Sequence, residues 1–330
     1  MPRILLVKTS SLGDVIHNLP VASDIRAVMP DARIDWVVEE SLAAIPPLHP
    51  AIDRVLPVAL RRWRASFASR ATRGEIRAFR ASLQRVPYDA IIDTQGLLKS
   101  ALVTWMARGT RHGLDLASAR EPLFLFYDRT YSVPWTMHAV ERNRRLAAQA
   151  LGYTVPGAVS YGITAPPATF SWLPAGDYAV LVHATSADDK LWPEERWVQL
   201  GAELAERRLH SVLTWGSESE RLRAERLAQR IPGAVVAPAL SLAEAAAVLG
   251  HARVVIGVDT GFTHFSAALD VATIGLYCAT DPAATGLYGW ERAVNLGGMG
   301  RAPLVSEVVG VLDRLLPGGT GEWGMENGES

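Results

Sequence analysis

The sequence is poor in cysteine and has no long apolar segment. Its 330 residues include one cysteine, Cys278, so no intrachain disulfide can form and thiolates alone cannot build a metal site. No stretch approaches the ~20 apolar residues of a membrane-spanning helix. Residues 1–8 reach a polar loop before any signal-peptide core. These absences predict a protein of the reducing cytosol, with peripheral membrane contact left open.

An excess of charge of one sign is also lacking. Lysine and arginine total 33 against 34 acids, a net charge of −1, which argues against general nucleic-acid binding. The average hides a local excess, because residues 61–80 hold seven arginines and a single acid, Glu75. The segment either meets an anionic partner, such as phosphate or a membrane headgroup, or forms a solvated helix face. The arginines are Arg61, Arg62, Arg64, Arg70, Arg73, Arg77 and Arg80.

Three common catalytic signatures are missing. No G-x-G-x-x-G follows a predicted strand, and residues 95–100 lack the first glycine and the Gly-Lys pair of a P-loop. No G-x-S-x-G motif is present either. The sequence therefore excludes a classical NAD fingerprint, a P-loop nucleotide site and a nucleophile elbow.

What the chain does contain is an alternation of short apolar runs with helical patterns in both halves. This alternation predicts parallel sheets with right-handed crossovers, and the length favours two domains. We predict an α/β fold of two Rossmann-like domains facing each other across a cleft, at residues 1–165 and 175–315, with a disordered tail at 318–330. The predicted strands are 4–8, 34–39, 54–58, 90–94, 111–116, 178–183, 211–215, 234–237, 254–258 and 273–277; the predicted helices include 21–29, 74–85 and 194–207; residues 162–175 are a predicted linker.

The most informative segment is residues 3–20, in which an apolar run ends in a loop of small residues and a helical pattern begins. Such turns lie at the carboxyl ends of sheet strands, where open α/β folds bind ligands. The turn places one carboxylate, that of Asp14, at this edge. Asp14 is either a helix cap or a catalytic base, and the segment alone leaves both open.

The strongest signal in the second half is residues 254–268, which predict a buried strand, a turn and a helix start. Asp259 ends the strand, Thr260 and Gly261 form the turn, and His264 falls in the first helical turn. Free backbone N–H groups and the helix dipole at such a start suit a diphosphate. Capping by Asp259 or Thr260 uses the same geometry, and a lone histidine such as His264 is often structural.

Two further loops of the second half carry candidate phosphate- and ribose-binding groups. Thr185, Ser186 and Lys190 follow the strand at 178–183, and Lys190 either neutralises a phosphate or is an ordinary surface lysine. Glu220 follows the next strand and either accepts hydrogen bonds from ribose hydroxyls or stabilises the first turn of a helix.

Polar and cationic groups of the first half are candidates for holding an anionic acceptor opposite the nucleotide. Three arginines surround an indole, and a glutamine and a lysine follow the strand at 90–94. A structural role is favoured for Arg120 taken alone. The candidates are Arg61, Arg62, Arg64, Gln95, Lys99 and Arg120.

From residue 3 to about 315, the chain resembles the bacterial ADP-heptose:lipopolysaccharide heptosyltransferases, glycosyltransferase family 9. The motif Asp-Thr-Gly-x-x-His alone indicates only the wider family, whereas the whole set is specific. The motifs are Val-Lys-Thr-Ser-Ser-Leu-Gly-Asp at 7–14, Asp-Trp-Val-Val-Glu-Glu at 35–40, Arg-Arg-Trp-Arg at 61–64, Gln-Gly-Leu-Leu-Lys-Ser at 95–100, His-Ala-Val-Glu-Arg at 138–142, Asp-Asp-Lys-Leu-Trp-Pro at 188–193 and Asp-Thr-Gly-Phe-Thr-His at 259–264.

The resemblance implies a GT-B fold and transfer of L-glycero-D-manno-heptose from ADP-heptose to the Kdo of Kdo2-lipid A, as the first heptose of the inner core. It implies inversion at the sugar, no required metal or other cofactor, and a peripheral position on the cytoplasmic face of the inner membrane. We expect a monomer that binds no nucleic acid.

The resemblance also implies roles for particular residues. Asp14 corresponds to the base, assisted by Lys190, and Ser11 and Gly13 join the acceptor set. Ser186 and Leu240 depart from the threonine and methionine expected there, while keeping a hydroxyl and apolar bulk. The implied donor set is Thr185, Ser186, Lys190, Glu220, Leu240, Asp259, Thr260, Gly261 and His264.

Two other interpretations remain open. A member of the same family that adds the second heptose has the same fold and the same Asp-Thr-Gly-x-x-His signature. A non-catalytic sugar-nucleotide-binding module is the alternative from another class, and it would bind ADP without forming a product.

Overall fold

Two six-stranded parallel sheets organise the chain in the computed structural model, which describes residues 1–316. The tail predicted at 318–330 lies outside the described residues. The first sheet contains β1 (Arg3–Val7), β2 (Arg33–Glu39), β3 (Ile52–Val58), β4 (Tyr88–Asp93), β5 (Gly109–Leu114) and β6 (Arg129–Tyr131). The second contains β7 (Tyr178–Val182), β8 (His210–Leu213), β9 (Val235–Val236), β10 (Val254–Val258), β11 (Thr273–Tyr277) and β12 (Ala293–Gly297).

Helices connect the strands and cover both faces of each sheet, as parallel strands require. The helices are α1 (Leu12–Ile16), α2 (Leu19–Val28), α3 (Leu60–Ala65), α4 (Arg70–Gln84), α5 (Leu98–Met106), α6 (Ala139–Leu151), α7 (Glu194–Glu206), α8 (Glu218–Ala228), α9 (Leu242–Gly250), α10 (Gly261–Ala268), α11 (Pro282–Thr285) and α12 (Val305–Leu315). Short 3-10 turns lie at Glu40–Leu42, Pro46–Leu48, Phe124–Phe126 and Asp188–Lys190.

The two sheets share one topology. Their strand orders are β3-β2-β1-β4-β5-β6 and β12-β11-β10-β7-β8-β9, so the first strand of each half is central and the connections reverse direction beside it. The predicted pair of parallel α/β sheets is therefore confirmed. Each sheet has a switch point, between β1 and β4 or between β7 and β10, and ligands bind at such points in open α/β sheets.

The apolar core runs through both halves. The largest cluster of buried side chains joins Ile4 and Leu6 of β1 with Val180 of β7 and Phe265 of α10. Separate clusters fill the outer layers of the two sheets. Burial on both faces explains why the central strands are continuous apolar runs that could be recognised in the sequence.

The segment between α6 and β7 contains no regular structure and crosses from one sheet to the other. Its middle is packed: Tyr161 and Ile163 are buried, and the Tyr161 hydroxyl donates to the carbonyl of Tyr288 at 3.0 Å. Residue 163 falls within the predicted linker, whose start is therefore ordered against both halves. Among residues 1–316, no helix is long and apolar enough to cross a membrane.

Candidate active site

Two cavities lie side by side where the carboxyl ends of the strands meet. The smaller, of about 350 Å³, is formed mainly by the loops after β1 and β4 and by α6, and is called here the N-terminal cavity. The larger, of about 660 Å³, lies between the loops after β7, β8 and β10 and the start of α1, and is called the interdomain cavity. Ser11, Asp14 and Thr285 line both cavities. The switch points of the two sheets thus open into one continuous region.

Asp14 lies in the first turn of α1, in the wall shared by the cavities. Its Oδ2 accepts hydrogen bonds from the Ser11 backbone N–H at 2.8 Å and from the Ser11 hydroxyl at 3.1 Å. Within the described residues Oδ1 accepts no hydrogen bond. Capping therefore uses Oδ2 and leaves Oδ1 available, so the two roles predicted for Asp14 are compatible.

Lys8 is a cavity residue that the sequence analysis did not select. Its ammonium is buried and donates to the carbonyl of Thr94 at 2.9 Å. Burial lowers the pKa of Lys8, and the carboxylates of Asp14 and Asp93 oppose this effect. A lysine that ends an apolar strand just before a polar loop was the available signal, since such a side chain lies at the ligand-binding edge of the sheet.

The N-terminal cavity collects the predicted residues Gln95, Lys99 and Arg120. Gln95 Oε1 accepts from the backbone N–H groups of Thr9 and Ser10 at 3.0 and 3.1 Å, which holds the two loops together. Lys99 Nζ donates to the Ser10 hydroxyl at 2.5 Å.

Arg142 is a second cation that the sequence analysis missed. Its guanidinium lies 3.5 Å from the centre of the Trp135 ring, and that of Arg120 lies 5.5 Å from the same centre. Burial lowers the pKa of Arg142, and the charge of Arg120 adds to this effect.

The lining of the N-terminal cavity contains four cationic side chains and one acid, Asp14. The cations are Lys8, Lys99, Arg120 and Arg142. The cavity is suited to an anion.

The arginine-rich segment is only partly at the site. Arg61 lines the interdomain cavity rather than the N-terminal cavity, whereas Arg62 and Arg64 line neither cavity. Arg62 is held by ion pairs with Glu40 at 3.0 Å and Glu75 at 2.7 Å. The structure therefore does not bring Arg62 and Arg64, which the sequence analysis placed in the acceptor set, to the N-terminal cavity. For Arg62 the reason is its two carboxylate partners.

Asp259 and Lys190 form the charged centre of the interdomain cavity. Lys190 Nζ lies 2.7 Å from Asp259 Oδ2, which also accepts from the Thr280 hydroxyl at 2.8 Å. Burial alone would raise the pKa of Asp259. The contacts from His264, Lys190 and Thr280 reverse this and hold the pKa well below its usual range. Asp259 therefore remains ionised and positions Lys190 at the cavity wall.

The start of α10 faces the start of α1. Thr260 precedes α10 without a side-chain capping bond, and its carbonyl accepts from the N–H groups of Thr263 and His264. The N–H groups of Gly261 and Phe262, the first two of the helix, have no partner within the helix. A Cβ added to Gly261 would lie 2.6 Å from Leu12 Cβ, and one added to Gly13 would lie 3.3 Å from His264 Cδ2. The two glycines allow the helices to approach. The neighbours of Gly13 thus belong to the facing helix, whereas the sequence analysis placed it in the acceptor set.

His17 joins the halves beside this contact and was not among the predicted residues. Its Nε2 lies 3.3 Å from His264 Nδ1, and both rings are buried. Burial, followed by the charge that His264 would carry, holds the pKa of His17 well below its usual value. In its neutral form, His17 can form a hydrogen bond with His264 in which one ring nitrogen donates and the other accepts. Its position three residues after Asp14 on the same helix side was the available signal.

The remaining predicted donor residues cluster around the same space. Thr185, Ser186 and Glu220 line the interdomain cavity, and the Thr185 hydroxyl donates to the Asp259 carbonyl at 3.2 Å. Glu220 also accepts from the backbone N–H of Gly216 at 2.6 Å, so it stabilises the start of α8 as well. Leu240 lines a small adjoining recess of about 10 Å³, which shares Thr214, Trp215 and Phe262 with the interdomain cavity.

Across residues 1–316, no group of three or more histidine, cysteine, aspartate or glutamate side chains is arranged to hold a metal ion.

Comparisons with known proteins agree with this geometry. A family-wide profile described as glycosyltransferase family 9 (heptosyltransferase) matches residues 76–308. Lipopolysaccharide heptosyltransferase 1 of Escherichia coli strain K12 is 48% identical over 295 residues, which is 88% of this chain and 92% of that protein. The structure of E. coli heptosyltransferase WaaC with ADP matches this one with a TM-score of 0.87 at 43% identity. The match covers 95% of this chain and 99% of the WaaC chain. The WaaC structure with ADP-2-deoxy-2-fluoro heptose has a TM-score of 0.80 at 42% identity, with coverages of 95% and 98%.

Proposed function

Since this chain belongs to glycosyltransferase family 9, the heptosyltransferases, we propose that it transfers L-glycero-D-manno-heptose from ADP-heptose to the Kdo of Kdo2-lipid A. The observation that carries the proposal is the position of Asp14 in the wall between two cavities. One cavity has the helix start and lysine that suit a diphosphate, and the other has the cations that suit an acidic sugar. A base is needed where two such ligands meet.

In the proposed reaction, Asp14 Oδ1 removes the proton from a Kdo hydroxyl as that oxygen attacks the anomeric carbon of the heptose. The bond between that carbon and the diphosphate oxygen breaks, and ADP leaves with the electron pair from the opposite face. The configuration at the sugar is therefore inverted. General base catalysis of this kind contributes ~10²–10⁴-fold.

The departing ADP gains negative charge, which groups of the interdomain cavity stabilise in this proposal. Lys190 has three N–H donors, and the one directed at Asp259 leaves two for phosphate oxygens. The start of α10 adds backbone N–H groups and the positive end of a helix dipole. The reaction is proposed to need no metal, and turnover that stays unchanged when EDTA is added would support this. Loss of turnover that Mg²⁺ restores contradicts it.

The N-terminal cavity is proposed to hold the acceptor. Lys8, Lys99, Arg120 and Arg142 supply positive charge for the Kdo carboxylate and for lipid phosphates. Each bonds or stacks on a neutral group, namely a carbonyl, a hydroxyl or the Trp135 ring, so their charges are available to a ligand. The acceptor is a lipid, so the enzyme is proposed to act at the cytoplasmic face of the inner membrane.

The deciding experiment offers the purified protein ADP-heptose with either Kdo2-lipid A or its monoheptosylated form. We expect product from Kdo2-lipid A alone, as the name of the 48% identical relative favours. Product from the monoheptosylated form alone would assign the second transfer instead. ADP binding without product from either acceptor would favour the non-catalytic module.

A further inference from the structure

The outer side of α5 is an exposed apolar surface beside the N-terminal cavity. Leu98, Leu102 and Trp105 follow the spacing i, i+4, i+7 and so lie on one helix side. Their side chains are 48%, 42% and 56% exposed, while Ser100, Ala101, Val103 and Thr104 are buried on the other side. We call these three residues, together with the exposed Phe124 and Leu125 of the neighbouring 3-10 turn, the α5 patch.

Contacts of the buried side chains place α5 between two other elements. Ala101 packs with Leu123 and Tyr127, at the two ends of the 3-10 turn. Val103 belongs to the cluster that contains Phe79 and Leu83 of α4. The α5 patch is thus bordered by α4 on one side and continues onto the 3-10 turn on the other.

An exposed stripe of α4 carries arginines. Arg73, Arg77, Arg80 and Gln84 are spaced four, three and four residues apart and lie on one helix stripe. Gln84 Nε2 donates to the carbonyl of Met106, the last residue of α5, at 3.0 Å, which fixes the direction of the stripe. In the described part of the chain, the three arginines are exposed and form no ion pair. We call Arg73, Arg77 and Arg80 the arginine stripe.

We propose that the α5 patch and the arginine stripe form the surface by which the protein docks on an anionic lipid bilayer. Apolar side chains enter the boundary between headgroups and acyl chains, and the arginines at the rim contact lipid phosphates. A second copy of the chain fits less well, because a symmetric contact presents the same surface from both copies, and the α5 patch and the arginine stripe contain no carboxylate to neutralise the arginines.

The position of the surface matches the proposed lipid acceptor, and in this respect the inference rests on the proposed function. Leu97 and Lys99, the neighbours of Leu98, line the N-terminal cavity. Docking through α5 therefore places the opening of that cavity at the headgroup layer, where an acceptor sugar projects from its lipid.

The test is sedimentation of the purified protein with vesicles of phosphatidylethanolamine and phosphatidylglycerol, and with vesicles of phosphatidylcholine alone. We expect binding to the anionic vesicles only, weakened by salt. The double change Leu102→Ser and Trp105→Ser should lower the partition coefficient at least ~10-fold. The double change Arg73→Gln and Arg77→Gln should lower it about 30-fold, at ~1 kcal/mol for each charge.

Matched controls come from exposed side chains of the second half. Leu222→Ser with Leu304→Ser, and Arg292→Gln with Arg314→Gln, should leave vesicle binding unchanged. Equal losses in the control pairs, no binding by the unaltered protein, or full binding by the patch and stripe variants would overturn the proposal. A dimer in sedimentation velocity that becomes a monomer on Leu102→Ser and Trp105→Ser would overturn it in favour of a second copy.

A last comparison separates docking from catalysis. The variant Leu102→Ser with Trp105→Ser should keep normal turnover on an acceptor stripped of its acyl chains, because neither residue lines a cavity. Loss of turnover on this soluble acceptor would contradict the docking role. Failure of the unaltered protein to transfer heptose would refute the proposed function, while the vesicle measurement would still decide the docking surface.

Discussion

The two cavities differ in how their positive charges are partnered. In the N-terminal cavity, Lys8 and Lys99 donate to a carbonyl and a hydroxyl, and Arg120 and Arg142 lie over an indole. In the interdomain cavity, Lys190 forms an ion pair with Asp259. Cations that are bonded to neutral groups create a positive potential that attracts an anion from a distance. The charge of a lysine in an ion pair is largely balanced by its partner, so it acts on a ligand only at short range. This difference suits the N-terminal cavity to attracting a charged ligand and the interdomain cavity to positioning one.

The largest expected effect is at the wall that the cavities share. Asp14→Asn should lower kcat by about 10³-fold, because an amide cannot accept the proton that the carboxylate removes. The affinity for ADP, measured by calorimetry, should remain unchanged, since the change retains the size and capping oxygen of the side chain. Turnover near that of the unaltered enzyme would remove Asp14 from its proposed role and leave only the cap.

The next effect compares the two kinds of lysine. Lys190→Ala should lower kcat by about 10²-fold and raise the KM for ADP-heptose, since it removes a donor to the developing charge. Lys99→Ala is the matched change in the other cavity and should raise chiefly the KM for the acceptor. Steady-state kinetics with each substrate varied in turn would check this. If both variants raised the same KM, the contrast between capture and positioning would be lost.

The smallest effect distinguishes arginines inside and outside the cavities. Arg120→Ala should raise the acceptor KM by about 10-fold, as expected for loss of a hydrogen bond to a charged group. Arg62→Ala should change it less than about 2-fold, because Arg62 lies outside the cavity in two exposed ion pairs, with Glu40 and Glu75, and such pairs contribute little. Added salt should weaken acceptor binding in the unaltered enzyme more than in Arg120→Ala. A larger effect from Arg62→Ala would show that its ion pairs break when the acceptor binds.

The sequence was sufficient for the central strands of each sheet and for two of the four edge strands, β3 and β9. Central strands such as β1 and β10 are buried on both faces, so their apolar runs were recognised. The sequence analysis missed β6 and β12, whose residues are exposed or only partly buried. These two edge strands have a neighbour on one side only, and because their residues are also poorly buried, their apolar pattern is weak. The domain boundaries proposed from the sequence remain predictions.

For the site, the sequence identified side chains carried by a single loop better than side chains that come together from several parts of the chain. Thr185, Ser186 and Lys190 were found because one loop carries them all. Arg62 was placed with the acceptor because sequence neighbours do not reveal a carboxylate 22 residues away. Arg142 was overlooked for the same reason, since its contact with Trp135 depends on the folded arrangement. The role of Asp14 as a base is implied by the resemblance. The structure adds that capping uses Oδ2 only, so a capping role and a base role can coexist in one side chain.

The wall formed by Ser11, Asp14 and Thr285 has a consequence for inhibitor design. Because these residues line both cavities, a single molecule can contact the two binding regions by passing Asp14. A nucleoside diphosphate joined by a short linker to an acidic sugar would bind its second half at high effective concentration. Such a compound should inhibit more strongly than either half added separately, and its best linker length would measure the thickness of the wall.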